Sequence, residues 1–505
     1  MADIMAPNKA KFDLRELWWV FTGERVRPTF DWIMEGVVTD SRQVENGNIF
    51  FALQGEKFDG HDYLSQVARV PKVAAVISRP ELLEGIHQMP LFPVKDTLIA
   101  LGDLARYHRQ RFEIPVVAVT GSYGKTSTRA LIHAALSAGG ETLTSQANFN
   151  NEIGLPMTLF QLGREHKFAV LEMGMRGLKQ IDYLAKIAEP TVGVITNIGP
   201  QHIELLGNLE NIAKAKAELI ENLPADGLAV LPADSAFLPM LKSKAPCRIV
   251  TFGLANDADY RVADVVTQNE GNVSFSVELK NAGEHNNAGD HNGSGACALF
   301  QFSSHGEPQS LEVGASPAAL KFAVELPLPG AHNALNAAAA FAVAHQLGVA
   351  PDAIVAALKS AQLPGARMRV VKTDQLTIID DCYNAGPDSM RAALETLRDF
   401  PSDGRRVAVL GAMRELGDYS DGEHRKVGAL AGEICDFVVG VGPETEPMMD
   451  AIREGGNRQL FGWSPDADAA TPVVLAKLQA GDIVLVKGSR SVGLEVVVEA
   501  LQTIK

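Results

Sequence analysis

The stretch Gly121-Ser122-Tyr123-Gly124-Lys125-Thr126-Ser127 has the residue types needed to hold a phosphate chain. It follows the apolar run VVAVT (116–120) and leads into the helical pattern LIHAALSA. Glycines let backbone amides close around phosphate oxygens, a helix N-terminus adds partial positive charge, and Lys125 adds a full one. The Thr126 hydroxyl is then placed to ligate Mg²⁺. The common G-x-x-x-x-G-K-[ST] spacing would need glycine where Val119 stands, so the loop departs from that pattern but keeps its strand–loop–helix setting. The bland alternative is a tight strand-to-helix turn with an exposed lysine. A GTPase would need an N-K-x-D base-reading motif, which is absent, and the next strand ends in Glu172 rather than aspartate.

Other residues suit the same chemistry. Glu172 ends the apolar run FAVLE (168–172), where an unpaired carboxylate is costly, so a ligand role explains it more easily. His202, in TNIGPQHIE (196–204), either ligates a cation or caps a turn. Asn333 and Asn336 lie three apart at a helix start and can face one ligand. Asn150 and Asn151, from their types alone, shape a turn. Lys487 and Arg490 follow the last strand, at the edge where open α/β sheets bind ligands, though surface charge reads the same way. Lys214 and Lys216 lie in the helical pattern NIAKAKAELIENL, and His424 has no assigned role.

These groups need a scaffold of parallel strands. After VVAVT, the runs FAVLE, VGVIT (192–196) and LAVL (228–231) are short, apolar and β-branched, as buried parallel strands are. The alternation restarts with LTIID (376–380), RVAVL (406–410), FVVGV (437–441) and DIVLV (482–486). A mixed N-terminal region carries VVTD, IFFAL and AAVIS. The expected organisation is therefore α/β in three domains: 1–112, 113–362 and 363–505. Val273, Phe275, Val277 and Leu279 alternate with polar residues, which predicts an antiparallel hairpin strand. The following NAGEHNNAGDHNGSG (281–295) predicts a flexible insert over about 281–296. Its composition cannot pack, although His285 and His291 leave metal binding as the alternative.

Composition narrows the function. With 46 Lys plus Arg against 61 Asp plus Glu, the net charge of −15 disfavours nucleic acid and membrane surfaces as partners. No run approaches the ~18 apolar residues of a membrane span. The four cysteines show no CxxC spacing, so a reducing, cytoplasmic setting without membrane insertion is expected. The chain is expected to be a monomer, although no residue pattern fixes its oligomeric state.

The ordered set TGSYGKTS, NFNNEIGLP (148–156), LEMGMR (171–176), TNIGPQHIE, GAHNALNAAAA (330–340), DDCYNAGPDSM (380–390), LGAMRELG (410–417) and VLVKGSRSVGLE resembles the Mur ligase superfamily along the whole chain. TDSRQVENGNIFFALQGEKFDGHDY (39–63) resembles the N-terminal UDP-binding module of that superfamily. The resemblance implies an N-terminal UDP-binding module, a central P-loop-like ATPase domain and a C-terminal Rossmann-like domain. The implied reaction is ATP-dependent addition of D-alanyl-D-alanine to UDP-N-acetylmuramoyl-tripeptide through an acyl-phosphate. The D-N-P-R motif of the diaminopimelate-adding relative is absent. Gly386 departs from the usual Asn of the matching signature. A folylpolyglutamate-type ligase is the nearest enzymatic alternative, and an inactive nucleotide-binding scaffold the non-enzymatic one. The third residue of the acceptor peptide, lysine or diaminopimelate, stays open.

The same resemblance implies roles. Gly121, Ser122, Gly124, Lys125, Thr126, Ser127, Asn333, Asn336, Arg367 and Asp381 would hold ATP. Thr126, Glu172, His202 and a carbamylated Lys216 would hold Mg²⁺. Lys125, Glu172, His202 and Lys216 would form the catalytic set. Ser41, Arg42, Asn150, Asn151, Asn384, Lys487 and Arg490 would contact substrate.

Overall fold

The computed structural model describes residues 8–25, 31–146, 148–268, 271–280, 320–456 and 461–504. Three larger sheets organise them, beside a two-stranded antiparallel pair of Lys11–Asp13 with Ile33–Glu35. The first is parallel and four-stranded, built from Val37–Val38, Ile49–Phe51, Ala74–Ile77 and Leu91–Pro93. Its strands are short and almost wholly apolar because helices and loops cover both faces.

The second sheet has nine strands. Val116–Thr120 lies between Phe168–Glu172 and Val192–Ile195, all parallel. The chain builds one side of Val116–Thr120 first, with Thr142–Thr144 and Phe168–Glu172, and then crosses to the other. This reversal opens a crevice at the strand C-termini, where such sheets bind ligands. Register carries the consequence: Val119 faces Glu172, and Thr120 faces Ile195. The far edge is antiparallel. Val273–Leu279 pairs with Tyr260–Thr267 on one side and Leu320–Leu326 on the other. Its alternating residues Val273, Phe275, Val277 and Leu279 all turn into the core, as their period of two predicts. The insert expected over 281–296 lies outside the described residues.

The third sheet has six strands, five of them parallel, with Arg369–Lys372 antiparallel at one edge. Thr377–Asp380 and Ile483–Lys487 are neighbours, with Asp380 facing Val486. Residues just beyond both ends therefore share one sheet edge. The helices Lys125–Ser137 and Ala331–Gln346 pack together on the central sheet. The second is buried along most of its length because Ala337–Ala340 present almost no side chain to separate it from its neighbours. Among the described residues no helix is long and apolar enough to cross a membrane. Of the four cysteines, Cys247, Cys382 and Cys435 are described, and all are free thiols.

Candidate active site

The loop after Val116–Thr120 is shaped by two glycines. A side chain on Gly121 (φ +154°) would collide with Thr196 Oγ1 at 1.9 Å, and one on Gly124 (φ +75°) would meet Asn336 Oδ1 at 2.9 Å. Gly124 also starts the helix Lys125–Ser137, so the free amides of its first turn face the loop interior. The Lys125 ammonium folds back onto the Gly121 carbonyl (2.8 Å) and the Ser122 carbonyl (3.2 Å). Burial pushes its pKa down, and Glu172 pulls the other way. Ser122 Oγ donates to the Gly199 carbonyl and accepts from the Gly199 amide, both at 2.9 Å, while Asn197 Oδ1 accepts from the Tyr123 amide. The phosphate loop and the 197–202 loop are thus one rigid piece.

Glu172 is the hub of the neighbouring strand end. It is buried, and its Oε2 accepts from the Thr126 hydroxyl (2.8 Å) while its Oε1 accepts from the Asn150 amide (2.9 Å). Arg129, also buried, brings its Nε to 3.5 Å from Oε2 without a hydrogen bond of its own. The carboxylate is thereby aimed by two donors, with the Arg129 charge beside it. Asn151 instead shapes the turn before the helix Gly154–Leu159, its Oδ1 accepting from the Gly154 amide at 2.9 Å.

His202 lines the same cleft. Burial, then the charge of Lys125, lowers its pKa to about 4. Its Nδ1 is bonded to Glu415 of the third unit. Lys216 is only 1% exposed and makes no hydrogen bond or ion pair among the described residues. Burial, reinforced by Lys125, holds its pKa well below the ordinary lysine value. It is not a solvated helix lysine.

The third unit closes the cleft from the opposite side. Lys487 donates to Asp381 Oδ2 (2.6 Å) and to the Asn384 carbonyl (2.8 Å), as the shared sheet edge predicts. Burial raises the Asp381 pKa, and Lys487 opposes the rise. The Arg367 guanidinium stacks on the Tyr383 ring at 3.9 Å, with Arg490 at 5.1 Å from the same ring. Gly386, where the family signature usually has Asn, is extended (φ −153°) and starts the helix Pro387–Asp399, so no backbone constraint demands glycine there.

One cleft of about 850 Å³ gathers most of these groups. Ser122, Gly124, Lys125, Thr126, Ser127, Asn150, Asn151, Glu172, His202, Asn336, Arg367, Asp381, Asn384 and Lys487 line it, and Leu98 and Ile99 of the first unit reach its rim. Gly121, Lys216 and Asn333 are buried and outside the lining, and Arg490 is exposed beside the Tyr383 ring. Asn333 bonds the Pro329 carbonyl and accepts from Asn336. Ser41 and Arg42 lie apart from the cleft, in a turn capped by Asp40, whose carboxylate pairs with the exposed Arg42. Sequence reasoning passed over His332, Tyr383 and Glu415. His332 lies four residues before Asn336, one helical turn, so its periodicity signalled the shared face. Glu415 lies in the motif LGAMRELG, but nothing local pointed to its partner, which is 213 residues away.

Three α/β units converging on a phosphate-type loop define a ligase of the Mur type. Three family models match in order: the Mur ligase family catalytic domain over 34–109, the Mur ligase middle domain over 119–300 and the Mur ligase glutamate ligase domain over 366–490. The chain belongs to the Mur ligase family. Among its relatives, the UDP-N-acetylmuramoyl-tripeptide–D-alanyl-D-alanine ligase of Synechocystis is 38% identical over 93% of this chain and 92% of its own length. The enzyme of that name from Escherichia coli is 34% identical over 94% of each. The crystal structure of MurF from Acinetobacter baumannii superposes with a TM-score of 0.81 at 30% identity, covering 99% of this chain and all of that one. MurF from Thermotoga maritima, solved in complex with ADP, gives 0.76 at 28% identity over 92% and 96%. Folylpolyglutamate synthase from Mycobacterium tuberculosis, 18% identical with a TM-score of 0.58 over 81% of this chain, shares the fold.

Proposed function

We propose that this chain joins D-alanyl-D-alanine to UDP-N-acetylmuramoyl-tripeptide at the expense of ATP. The observation that carries the reading is the single cleft to which all three units contribute, with the phosphate loop and Glu172 at its centre. Relatives and solved structures of that named activity, matching over nearly the whole chain, support it. A carboxylate does not condense with an amine at neutral pH. Its oxygen attacks the γ-phosphorus, ADP leaves, and the acyl-phosphate so formed has a good leaving group. The amine then attacks the acyl carbon, phosphate departs, and the amide remains.

Each step crowds negative charge, so the chain must supply positive charge and exclude water. Loop amides from Gly121 to Ser127 and the Lys125 ammonium would cradle the phosphates. His332 and Asn336 lie at the start of one helix in the lining, suited to a base. Asp381, fixed by Lys487, suits a ribose hydroxyl, and Arg367 on Tyr383 presents a planar cation to the nucleotide. Domains 1–112, 113–362 and 363–505 would hold UDP, ATP and the incoming dipeptide respectively. Ser41 and Arg42 would meet the UDP moiety, and Asn150, Asn151, Asn384 and Arg490 the peptide ends. The reaction belongs in the cytoplasm, where ATP and a UDP-linked acceptor coexist.

The residues present fit Mg²⁺. No three of His, Cys, Asp and Glu converge among the described residues. Instead, Glu172 and the Thr126 hydroxyl offer hard oxygens, which suit a magnesium ion that also takes phosphate oxygens. A buried, unpartnered Lys216 beside another lysine makes sense once carbamylation turns it into an anionic oxygen ligand. Thr126, Glu172, His202 and modified Lys216 would hold the ions. When bound, Mg²⁺ neutralises the phosphate charge that builds during transfer.

The test is phosphate release from Mg²⁺-ATP with UDP-N-acetylmuramoyl-tripeptide, with and without D-alanyl-D-alanine. Product should need both substrates, and both the lysine and diaminopimelate forms of the tripeptide should be tried. Equal turnover on a folate acceptor would overturn the reading.

A further inference from the structure

The loop after the strand Arg406–Gly411 of the third unit reaches into the second unit and grips its cation-binding edge. Glu415 Oε2 is bonded to His202 Nδ1, and Oε1 lies 3.8 Å from Arg176. The Glu415 carbonyl accepts from the Glu204 amide at 3.3 Å, and the Tyr419 hydroxyl reaches the Gly207 carbonyl at 3.4 Å. Both members of the central pair, His202 (φ +61°) and Glu415 (φ +62°), hold a left-handed backbone that non-glycine residues rarely adopt. Strained backbone of this kind persists where surrounding structure enforces it, and it concentrates at functional sites.

The loop is rigid at its base. The buried His424 accepts from the Met413 amide through Nε2 (3.0 Å), while its Nδ1 meets the Ser420 carbonyl at 2.8 Å. Ser489 Oγ accepts from the Arg414 amide, and the Ser489 amide donates to the Ala412 carbonyl. Glu415 is therefore delivered by a pinned segment, not by a drifting side chain.

The consequence lies in the imidazole. A carboxylate on Nδ1 takes that nitrogen's proton as a hydrogen bond, which leaves the lone pair on Nε2 and sets the ring's rotation. Nε2 has no hydrogen bond among the described residues, and His202 lines the cleft. We propose that Glu415 is a positioning residue that orients His202 for cation binding from across the unit boundary, so that the cation site is complete only when the third unit is docked. The inference rests on the ligase reading and deepens it: the unit expected to hold the incoming dipeptide also completes the site that handles phosphate. Loading of that site then waits for closure, which protects a hydrolysable acyl-phosphate.

The experiment uses the full chain with Mn²⁺ and the non-hydrolysable analogue AMP-PNP, read by pulsed electron paramagnetic resonance. Histidine ¹⁴N coupling reports Nε2 on the ion directly. The Mn²⁺ concentration giving half of that signal should rise about tenfold in Glu415→Ala, the usual scale for losing such an outer partner. In Glu415→Gln, whose amide oxygen still accepts from Nδ1, it should shift by less than about threefold. Circular dichroism melting of each variant shows whether it is folded, and Gln supplies the comparison should Ala be unstable. A Glu415→Ala protein with the wild-type Mn²⁺ dependence overturns the proposal and leaves the ligase reading intact. Absence of histidine coupling in the wild type, and no change in Mn²⁺ binding in Glu172→Ala, would overturn the cation-site assignment itself.

Discussion

Replacing Lys216 should cost activity without costing stability. The side chain is 1% exposed and has no hydrogen bond or ion pair among the described residues, and Lys125 is close enough to depress its pKa further. An unmodified amine there has its charge disfavoured by burial and by Lys125 and no partner to offset the cost of burying it. Replacing buried ionic groups by apolar residues of similar volume is commonly neutral or stabilising by about 1–4 kcal/mol. Lys216→Met keeps the length and removes the charge, so it should unfold in urea at the wild-type midpoint or above. Its turnover should fall by about 10²–10³-fold, since losing an anionic cation ligand removes roughly 3–4 kcal/mol of transition-state stabilisation. Lys216→Ala should lose a similar factor, and formate or acetate should restore part of it by filling the vacated space. Lys216→Arg should not be rescued, because a permanent cation occupies that space. The assay is phosphate release at saturating Mg²⁺-ATP and both other substrates, alongside a ¹³C carbamate resonance from protein equilibrated with ¹³CO₂. Wild-type turnover in Lys216→Met would refute the reasoning. So would a Lys216→Ala enzyme indifferent to formate together with no carbamate resonance in the wild type.

Three further outcomes follow from the packing. Lys487→Met strands the Asp381 carboxylate in a buried setting, so it should destabilise by about 3–5 kcal/mol in chemical denaturation; the double variant Lys487→Met/Asp381→Asn should regain most of that loss. His108 is buried with its pKa lowered to about 4, chiefly by burial, and its Nδ1 has no partner. The folded state therefore binds fewer protons than the unfolded state between about pH 4 and 6.5, and stability is lost as pH falls through that window. His108→Phe should remove about 2 kcal/mol of the stability difference between pH 7 and pH 5, measured by urea unfolding against the wild type at both values. Shortening the segment between Leu279 and Leu320 to a four-residue turn should leave turnover within about twofold, because these two residues already face each other in the antiparallel ladder; a folded variant without activity would show that the removed segment acts in the reaction.

The phosphate loop was legible in the sequence because its chemistry is local. Glycines, a lysine and a hydroxyl within seven residues, between an apolar run and a helical pattern, define a strand–loop–helix unit by backbone sterics and helix electrostatics alone. The parallel strands were legible for a similar reason, as continuous β-branched runs occur where both faces are covered. Alternation in 273–279 gave the antiparallel strand and its inward face.

Tertiary structure alone decided which of these groups meet. Strand order puts Glu172 beside the phosphate loop, and residues 172 and 119 become neighbours through a register that no local pattern encodes. Lys216 lies in a helix whose charged residues look solvated, yet packing buries it beside Lys125. Asn333 and Asn336 have the same spacing argument, but helix rotation sends only Asn336 to the cleft and turns Asn333 onto the Pro329 carbonyl. Glu415 belongs to His202 only because two units dock. Local propensity acts over a few residues and can be read along the chain. Burial, pairing across 213 residues and the electrostatics of a shared cleft depend on how whole sheets and helices are placed, and they exist only in the folded molecule.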